Sequence, residues 1–72
     1  MAIIQIGNLS ILDSFTSEKC YIFVKITDNS VGIGLSEEFS GDAEVYMQIS
    51  ECEKLIAMLE NAIAAAKNNL SG

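Results

Sequence analysis

Residues 20–35 read CYIFVKITDNSVGIGL, and this stretch decides the fold. Apolar residues alternate along both of its halves, as they do in strands with one buried face. The Asp28-Asn29 pair between them suits a two-residue hairpin turn, because both residues tolerate positive φ. With that turn Ile26 pairs with Val31, and every core residue of one strand lies opposite a core residue of the other. The stretch therefore predicts a β-hairpin with one apolar face.

The flanking sequence extends this hairpin into an α+β domain. The first segment contains Gly7-Asn8, which fits either a tight turn or a kink, so residues 2–12 form one strand or two. Ser50 and Glu53 fit a capping box at the start of an amphipathic helix. We predict one domain over residues 1–72, an antiparallel sheet of about four strands followed by one C-terminal amphipathic helix packed on one face. The predicted strands are 2–6, 9–12, 20–27, 31–36 and 43–49, and the predicted helix is 51–68.

The width of this sheet predicts an oligomer. Four strands spaced about 4.8 Å apart are wider than one helix about 10 Å across. One helix therefore leaves part of one face uncovered, and the second face has no helix at all. We expect the chain to form a homodimer or a higher oligomer.

The composition excludes several classes of function. Ten acidic residues accompany four lysines, with no arginine and no histidine, for a net charge of −6. This charge repels nucleic acids, whose binding relies on Lys and Arg. The absence of histidine removes the commonest acid–base residue and the commonest zinc ligand. We expect neither an enzyme nor a cofactor, and the acidic surface either attracts a basic partner or keeps the protein in solution.

Other site signals are weak. Glu37, Glu38 and Asp42 do not have the spacing of a calcium loop, so a solvated turn and no metal site are expected. Cys20 and Cys52 both fall on apolar faces and do not suggest a disulfide framework. The N-terminal segment lacks the basic region of a signal peptide and is too short for a membrane span. A cytoplasmic protein without membrane contact is the expectation.

The second face of the sheet holds most of the candidate binding residues. In the predicted register Phe23 lies opposite Gly34, and Tyr46 lies opposite Gly32. Glycine in a strand often marks close approach by a ligand or another backbone. This face is therefore covered by a second subunit or the N-terminal segment, by a small molecule, or by a protein partner; alternatively, its aromatic rings simply cover the glycine backbone. The candidate residues of this face are Tyr21, Phe23, Lys25, Gly32, Gly34, Glu44 and Tyr46.

Phe39 is a further candidate because it stands in an acidic loop. It is either tucked over the edge of the sheet or offered to a partner as an anchor, and the tucked position is the favoured expectation.

Residues 31–35, 41–46 and the helix from Ser50 to Lys67 together resemble the short acidic proteins of unassigned role found in phage genomes. The resemblance covers a little over half of the chain. It implies a small product that blocks a host defence, either by binding a protein or by sequestering a nucleotide signal.

Two functional hypotheses follow, with an enzyme as a distant third. The first is a non-catalytic inhibitory module that presents its acidic surface and Phe39 to a basic protein. The second is an oligomer that sequesters a nucleotide-like ligand between Phe23, Tyr46 and the two glycines, with Lys25 on a phosphate.

Overall fold

The computed structural model describes residues 2–71 and contains one sheet and one helix. The α+β prediction is confirmed: four antiparallel strands in the order β1-β2-β3-β4 precede a C-terminal helix. Within residues 2–71, no helix combines the length and the apolar character needed to cross a membrane. The elements are β1 Ile4–Leu12, β2 Lys19–Thr27, β3 Ser30–Glu37, β4 Gly41–Gln48 and α1 Ile49–Ser71.

The predicted hairpin register is confirmed. Ile26 pairs with Val31, and the pairing continues without a shift to Cys20 and Glu37. The turn between the two strands is residues 28–29, and there Asp28 adopts a positive φ of 51°. Alternation then sorts the side chains of all four strands onto two faces. The apolar face carries Ile4, Leu9, Ile11, Cys20, Ile22, Val24, Ile26, Val31, Ile33, Leu35, Ala43, Val45 and Met47.

The N-terminal segment is one strand. The pairing of β1 with β2 shifts by one residue between Gln5 and Gly7, which is a β-bulge. The bulge absorbs the kink that Gly7-Asn8 suggests, and the strand continues to Leu12 on the same edge of the sheet. The N-terminal segment therefore extends the sheet sideways and covers neither of its faces.

The helix begins earlier than the sequence suggests. Its first residue is Ile49, and the side chain of Glu51 accepts a hydrogen bond of 2.9 Å from the backbone N–H of Gln48. The predicted capping box of Ser50 and Glu53 is therefore wrong: Gln48 and Glu51 occupy the capping positions, because β4 passes directly into the helix. At the other end the helix extends to Ser71, three residues beyond the predicted end.

Within residues 2–71, the helix contacts the sheet only through β3 and β4. It leaves most of the apolar face of the sheet, and most of its own apolar side, uncovered. Cys52 and Leu55 are half-buried, whereas every other helix residue up to 69 is exposed. Within residues 2–69 the buried residues are Cys20, Gly32 and Gly34. The predicted packing of the helix on one face is thus limited to its first two turns, and the molecule extends 48 × 30 × 16 Å.

Candidate functional site

The face of the sheet opposite the apolar face, which we call the polar face, carries Tyr21, Phe23, Lys25, Gly32, Gly34, Glu44 and Tyr46. It brings the predicted aromatic and glycine residues together. Phe23 lies opposite Gly34, and both Lys25 and Tyr46 lie opposite Gly32. The two rings lie directly over these glycines. A Cβ atom added to Gly32 would come 2.5 Å from Cε2 of Tyr46, and one added to Gly34 would overlap the ring of Phe23. The aromatic side chains therefore cover the glycine backbone themselves.

Lys25 is engaged by its neighbours on this face. Its Nζ atom lies 3.1 Å from Oε2 of Glu44 and 5.0 Å from the centre of the Phe23 ring. The hydroxyl of Tyr46 donates a hydrogen bond of 3.1 Å to the same Glu44 oxygen. The lysine beside Glu44 lowers the pKa of that carboxyl, and the bond from Tyr46 adds to the effect. Burial, followed by the Glu44 carboxylate, raises the pKa of the Tyr46 hydroxyl.

A shallow depression of about 340 Å³ lies next to this network. It is lined by Phe23, Lys25, Ser36, Asp42, Ala43 and Glu44. Among these, the Ser36 hydroxyl donates a hydrogen bond of 2.6 Å to Asp42. Tyr21 pairs with Ser36 across the sheet, is half exposed and does not line the depression.

The second site is the end of the sheet where β1 meets β2 and β3 meets β4. Two connections, residues 13–18 and 38–40, lie at this end because the strands are antiparallel. They are joined by a hydrogen bond of 3.2 Å from the Ser40 hydroxyl to Glu18 and by one of 3.1 Å from the backbone N–H of Glu38 to the carbonyl of Lys19. We call this end the acidic tip. It comprises Asp13, Phe15, Glu18, Glu37, Glu38, Phe39 and Asp42.

Two phenylalanine side chains project from the acidic tip. Phe15 is 97% exposed and Phe39 is 80% exposed. The expectation that Phe39 is tucked over the sheet is therefore wrong. Its connection has only three residues and is tied to the sheet by the hydrogen bond from the backbone N–H of Glu38, and its sequence neighbours Glu38 and Ser40 are polar.

Side-chain hydrogen bonds order the longer connection. Asp13 accepts hydrogen bonds of 2.7 Å from the N–H of Phe15 and 3.0 Å from that of Thr16, which hold its pKa below the usual value. The backbone N–H of Asp13 donates to the carbonyl of Glu18 at 2.8 Å, which closes the loop. Ser17 completes the turn with a positive φ of 66°. Phe15 is therefore carried by a well-defined turn.

The carboxylates of the acidic tip repel one another. A hydrogen bond with Glu18 raises the pKa of Glu37, and burial and the charges of Glu18 and Asp13 raise it further. Lys19 is the only lysine among residues 13–19 and 37–42. A cationic partner would relieve this repulsion, whereas an anionic one would increase it.

Asp13, Cys20 and Glu37 form a cluster whose potential ligand atoms lie within 4.8 Å of one another. Burial raises the pKa of the Cys20 thiol, and the charge of Glu37 adds to the effect, so the thiol is protonated at neutral pH. Metal binding requires the thiolate, and one oxygen of Asp13 already accepts two backbone hydrogen bonds. The geometry permits a cation, and the raised pKa of Cys20 means that a cation would have to displace the thiol proton to bind there.

Comparisons with protein-family models, with curated proteins and with solved structures find no significant match for this chain.

Sequence reasoning identified the polar face but not the acidic tip as a unit. Phe15 was one of the residues it missed, together with Asp13 and Glu18. A signal was present: alternating strands joined by short turns place every second connection at the same end of a meander sheet. That rule puts Phe15 and Phe39 on one end of the molecule.

Proposed function

We propose that this protein is a non-catalytic binding module that docks a basic protein through its acidic tip. One observation carries the proposal: Phe15 and Phe39 project, 97% and 80% exposed, from two connections joined by hydrogen bonds. Exposed aromatic side chains on ordered loops are the usual anchors of protein interfaces, since they contribute large contact area at little conformational cost.

The charges around the two anchors determine the kind of partner. Five carboxylates and one lysine belong to residues 13–19 and 37–42. A ring of one charge steers a partner of the opposite charge and disfavours partners of the same charge. The expected target surface is therefore an apolar patch surrounded by Lys and Arg. The resemblance to short phage proteins implies that binding inhibits the target. Inhibition follows if the apolar patch is part of the surface through which the target functions.

The test is an affinity comparison with the immobilised protein and extracts of its natural host. A tip variant, Glu38→Lys with Asp42→Lys, is compared with a helix variant, Glu53→Lys with Glu60→Lys. Each exchange adds two charges, so both variants change the net charge from −6 to −2. Proteins that bind the acidic tip should be basic, should elute at high ionic strength, and should be retained by the helix variant but not by the tip variant.

The aromatic anchors need a separate comparison on the target so obtained. Phe15→Ser and Phe39→Ser should each weaken its binding about 10-fold or more, as substitution of an interface anchor does. The control is Met58→Ala, which changes another exposed apolar side chain, 60% exposed and on the helix. If the tip and control variants lose equal affinity for the target, then net charge and non-specific apolar contact, rather than the acidic tip, retain the target.

A second candidate function, sequestration of a nucleotide-like ligand, has one observation in its favour. The depression beside Phe23 and Lys25, about 340 Å³, reaches the lower part of the size range of ligand pockets. A phosphate would have to draw Lys25 away from Glu44, and the rings of Phe23 and Tyr46 would have to leave the glycines. Titration with a panel of nucleotides, monitored by the NMR signals of these residues, separates the two functions. Unchanged signals would eliminate this candidate and leave the first intact.

A further inference from the structure

The chain exposes much more surface than a compact protein of its mass. Its accessible surface is 5779 Å², whereas a compact folded monomer of 7.8 kDa has about 4,400 Å². Its radius of gyration is 14.3 Å, against about 11 Å for a compact chain of this length. The excess of about 1,400 Å² of surface is larger than the roughly 800 Å² that each partner buries in a standard protein interface.

Much of this exposed surface is apolar and belongs to two elements. On the sheet, Val45 is 54% exposed and Leu35 is 39% exposed, although both lie on the apolar face. On the helix, Leu59 and Ile63 are each 54% exposed. These two belong to the helix stripe, which consists of Cys52, Leu55, Ile56, Leu59, Ala62, Ile63 and Ala66.

The connection between sheet and helix explains why neither surface covers the other. Strand β4 ends at Gln48 and the helix begins at Ile49, with no loop between them. A helix that turns back over its own sheet needs a loop, commonly of about two to six residues. Without one, the helix continues away from the strand that precedes it. Beyond Leu55, the helix stripe therefore does not reach the apolar face of the same chain.

We propose that a second copy of this chain covers the apolar face, with the helix of each copy lying across the sheet of the other. The dimensions agree, since a helix of 23 residues is about 34 Å long and an eight-residue strand about 27 Å. Between Ile22 and Met47 the apolar face carries one charged side chain, that of Glu37, which pairs with Cys20 at the end of the sheet that bears the acidic tip. The rest of this face, where the helix of a second copy would lie, is uncharged. Ala62 and Ala66 allow the helix to approach closely.

A second copy suits both surfaces better than a different protein does. A foreign partner that covers the sheet leaves the helix stripe exposed, and one that covers the helix leaves the sheet exposed. A two-fold arrangement covers both at once, because each copy supplies the helix that the other sheet lacks. The acidic tip lies at the opposite end of the strands from the junction at Gln48 and Ile49, so this proposal does not depend on the proposed function.

The first experiment is a mass measurement in solution by light scattering over a range of protein concentrations. The wild-type chain should run as a dimer, with twice the 7.8 kDa mass of one chain. Leu59→Glu with Ile63→Glu should reduce the mass to that of one chain. The matched control, Ala57→Glu with Ala64→Glu, changes the net charge from −6 to −8 in the same way but on the opposite side of the helix, and it should remain multimeric.

A second experiment does not require any variant to fold. Mixed samples of isotope-labelled and unlabelled wild-type chains report contacts between copies by filtered NOE spectra. Methyl contacts between Ile63 of one copy and Val45 or Ile33 of the other are expected. A wild-type protein with the mass of one chain would overturn the proposal. So would a multimer that tolerates the Leu59 and Ile63 substitutions as well as the control, or one whose intermolecular contacts lack the helix.

Discussion

Substitution of Gly34 by alanine tests whether the aromatic cover of the polar face is a packed contact. An added Cβ atom would lie 2.5 Å from Cδ2 and Cζ of Phe23. Ordinary carbon contacts are about 3.5–4.0 Å, so the ring must retreat by at least about 1 Å. Such overpacking costs about 1–3 kcal/mol, part of which is offset by the roughly 0.4–1 kcal/mol that alanine gains over glycine through the unfolded chain. Gly34→Ala should therefore lower the free energy of unfolding by about 0–2.6 kcal/mol, and by about 1–3 kcal/mol relative to an exchange of glycine for alanine where the added Cβ atom meets nothing.

The control is Gly7→Ala, since nothing lies within 4 Å of a Cβ atom added there. Gly7 is also not among the glycines with positive φ, so this exchange should be neutral or stabilising by about 0.4–1 kcal/mol. Urea denaturation followed by circular dichroism, at one fixed chain concentration, measures both. In a Phe23→Ala background the cost of Gly34→Ala should disappear. An equal cost with and without the Phe23 ring would refute the reasoning.

Two further predictions concern carboxylates. Because Glu18 raises the pKa of Glu37 in the folded protein, the folded state holds the Glu37 proton more tightly than the unfolded state. The stability that Glu37 contributes is present below its unfolded pKa and is lost as pH rises through its folded pKa. Glu37→Gln should therefore stabilise the protein at neutral pH but not in acid. An equal change in the free energy of unfolding at both pH values, measured by urea denaturation, would contradict this. At the helix start, Glu51→Ala removes the hydrogen bond to Gln48 and should cost about 0.5–1 kcal/mol, whereas Glu53→Ala should be nearly neutral in thermal denaturation. The reverse ranking would restore the sequence-based capping box.

The register of the sheet was predictable because two independent signals agree on it. The Asp28-Asn29 turn sets the pairing of β2 with β3, and the period-two alternation of Val31, Ile33 and Leu35 would be turned to the wrong face by a slip of one residue. Opposition of Phe23 to Gly34 followed from the same register. The position of the ring directly over the glycine did not, because it depends on side-chain torsions that the alternation does not determine.

The packing of the helix was not predictable from its stripe. A pattern with apolar residues such as Leu59 and Ile63 on one side shows which side of a helix avoids water, but not which surface covers it. The decisive feature is the direct passage from Gln48 to Ile49. Ser50 is a good capping residue, and its presence suggested a helix start two residues later, at residue 51. The capping preference of Ser50 is outweighed there by the hydrogen bond between Gln48 and Glu51.

The acidic tip was only partly predictable. Its charges and Phe39 were visible in the sequence, and the simple order of the strands implies that residues 13–18 and 38–40 meet. The link between Ser40 and Glu18 and the two backbone hydrogen bonds that Asp13 accepts depend on the conformation of these loops. Those contacts hold Phe15 outward, which composition alone does not indicate.

The strand order has a consequence for how the protein folds. Each strand pairs only with the strand next to it in sequence, across connections 13–18, 28–29 and 38–40. Such a sheet closes only short loops and has low contact order, which favours rapid folding. Refolding of the sheet should therefore be a first-order process at any dilution. If a second chain supplies the missing helix, its arrival is a bimolecular step, and the two phases separate as the protein is diluted.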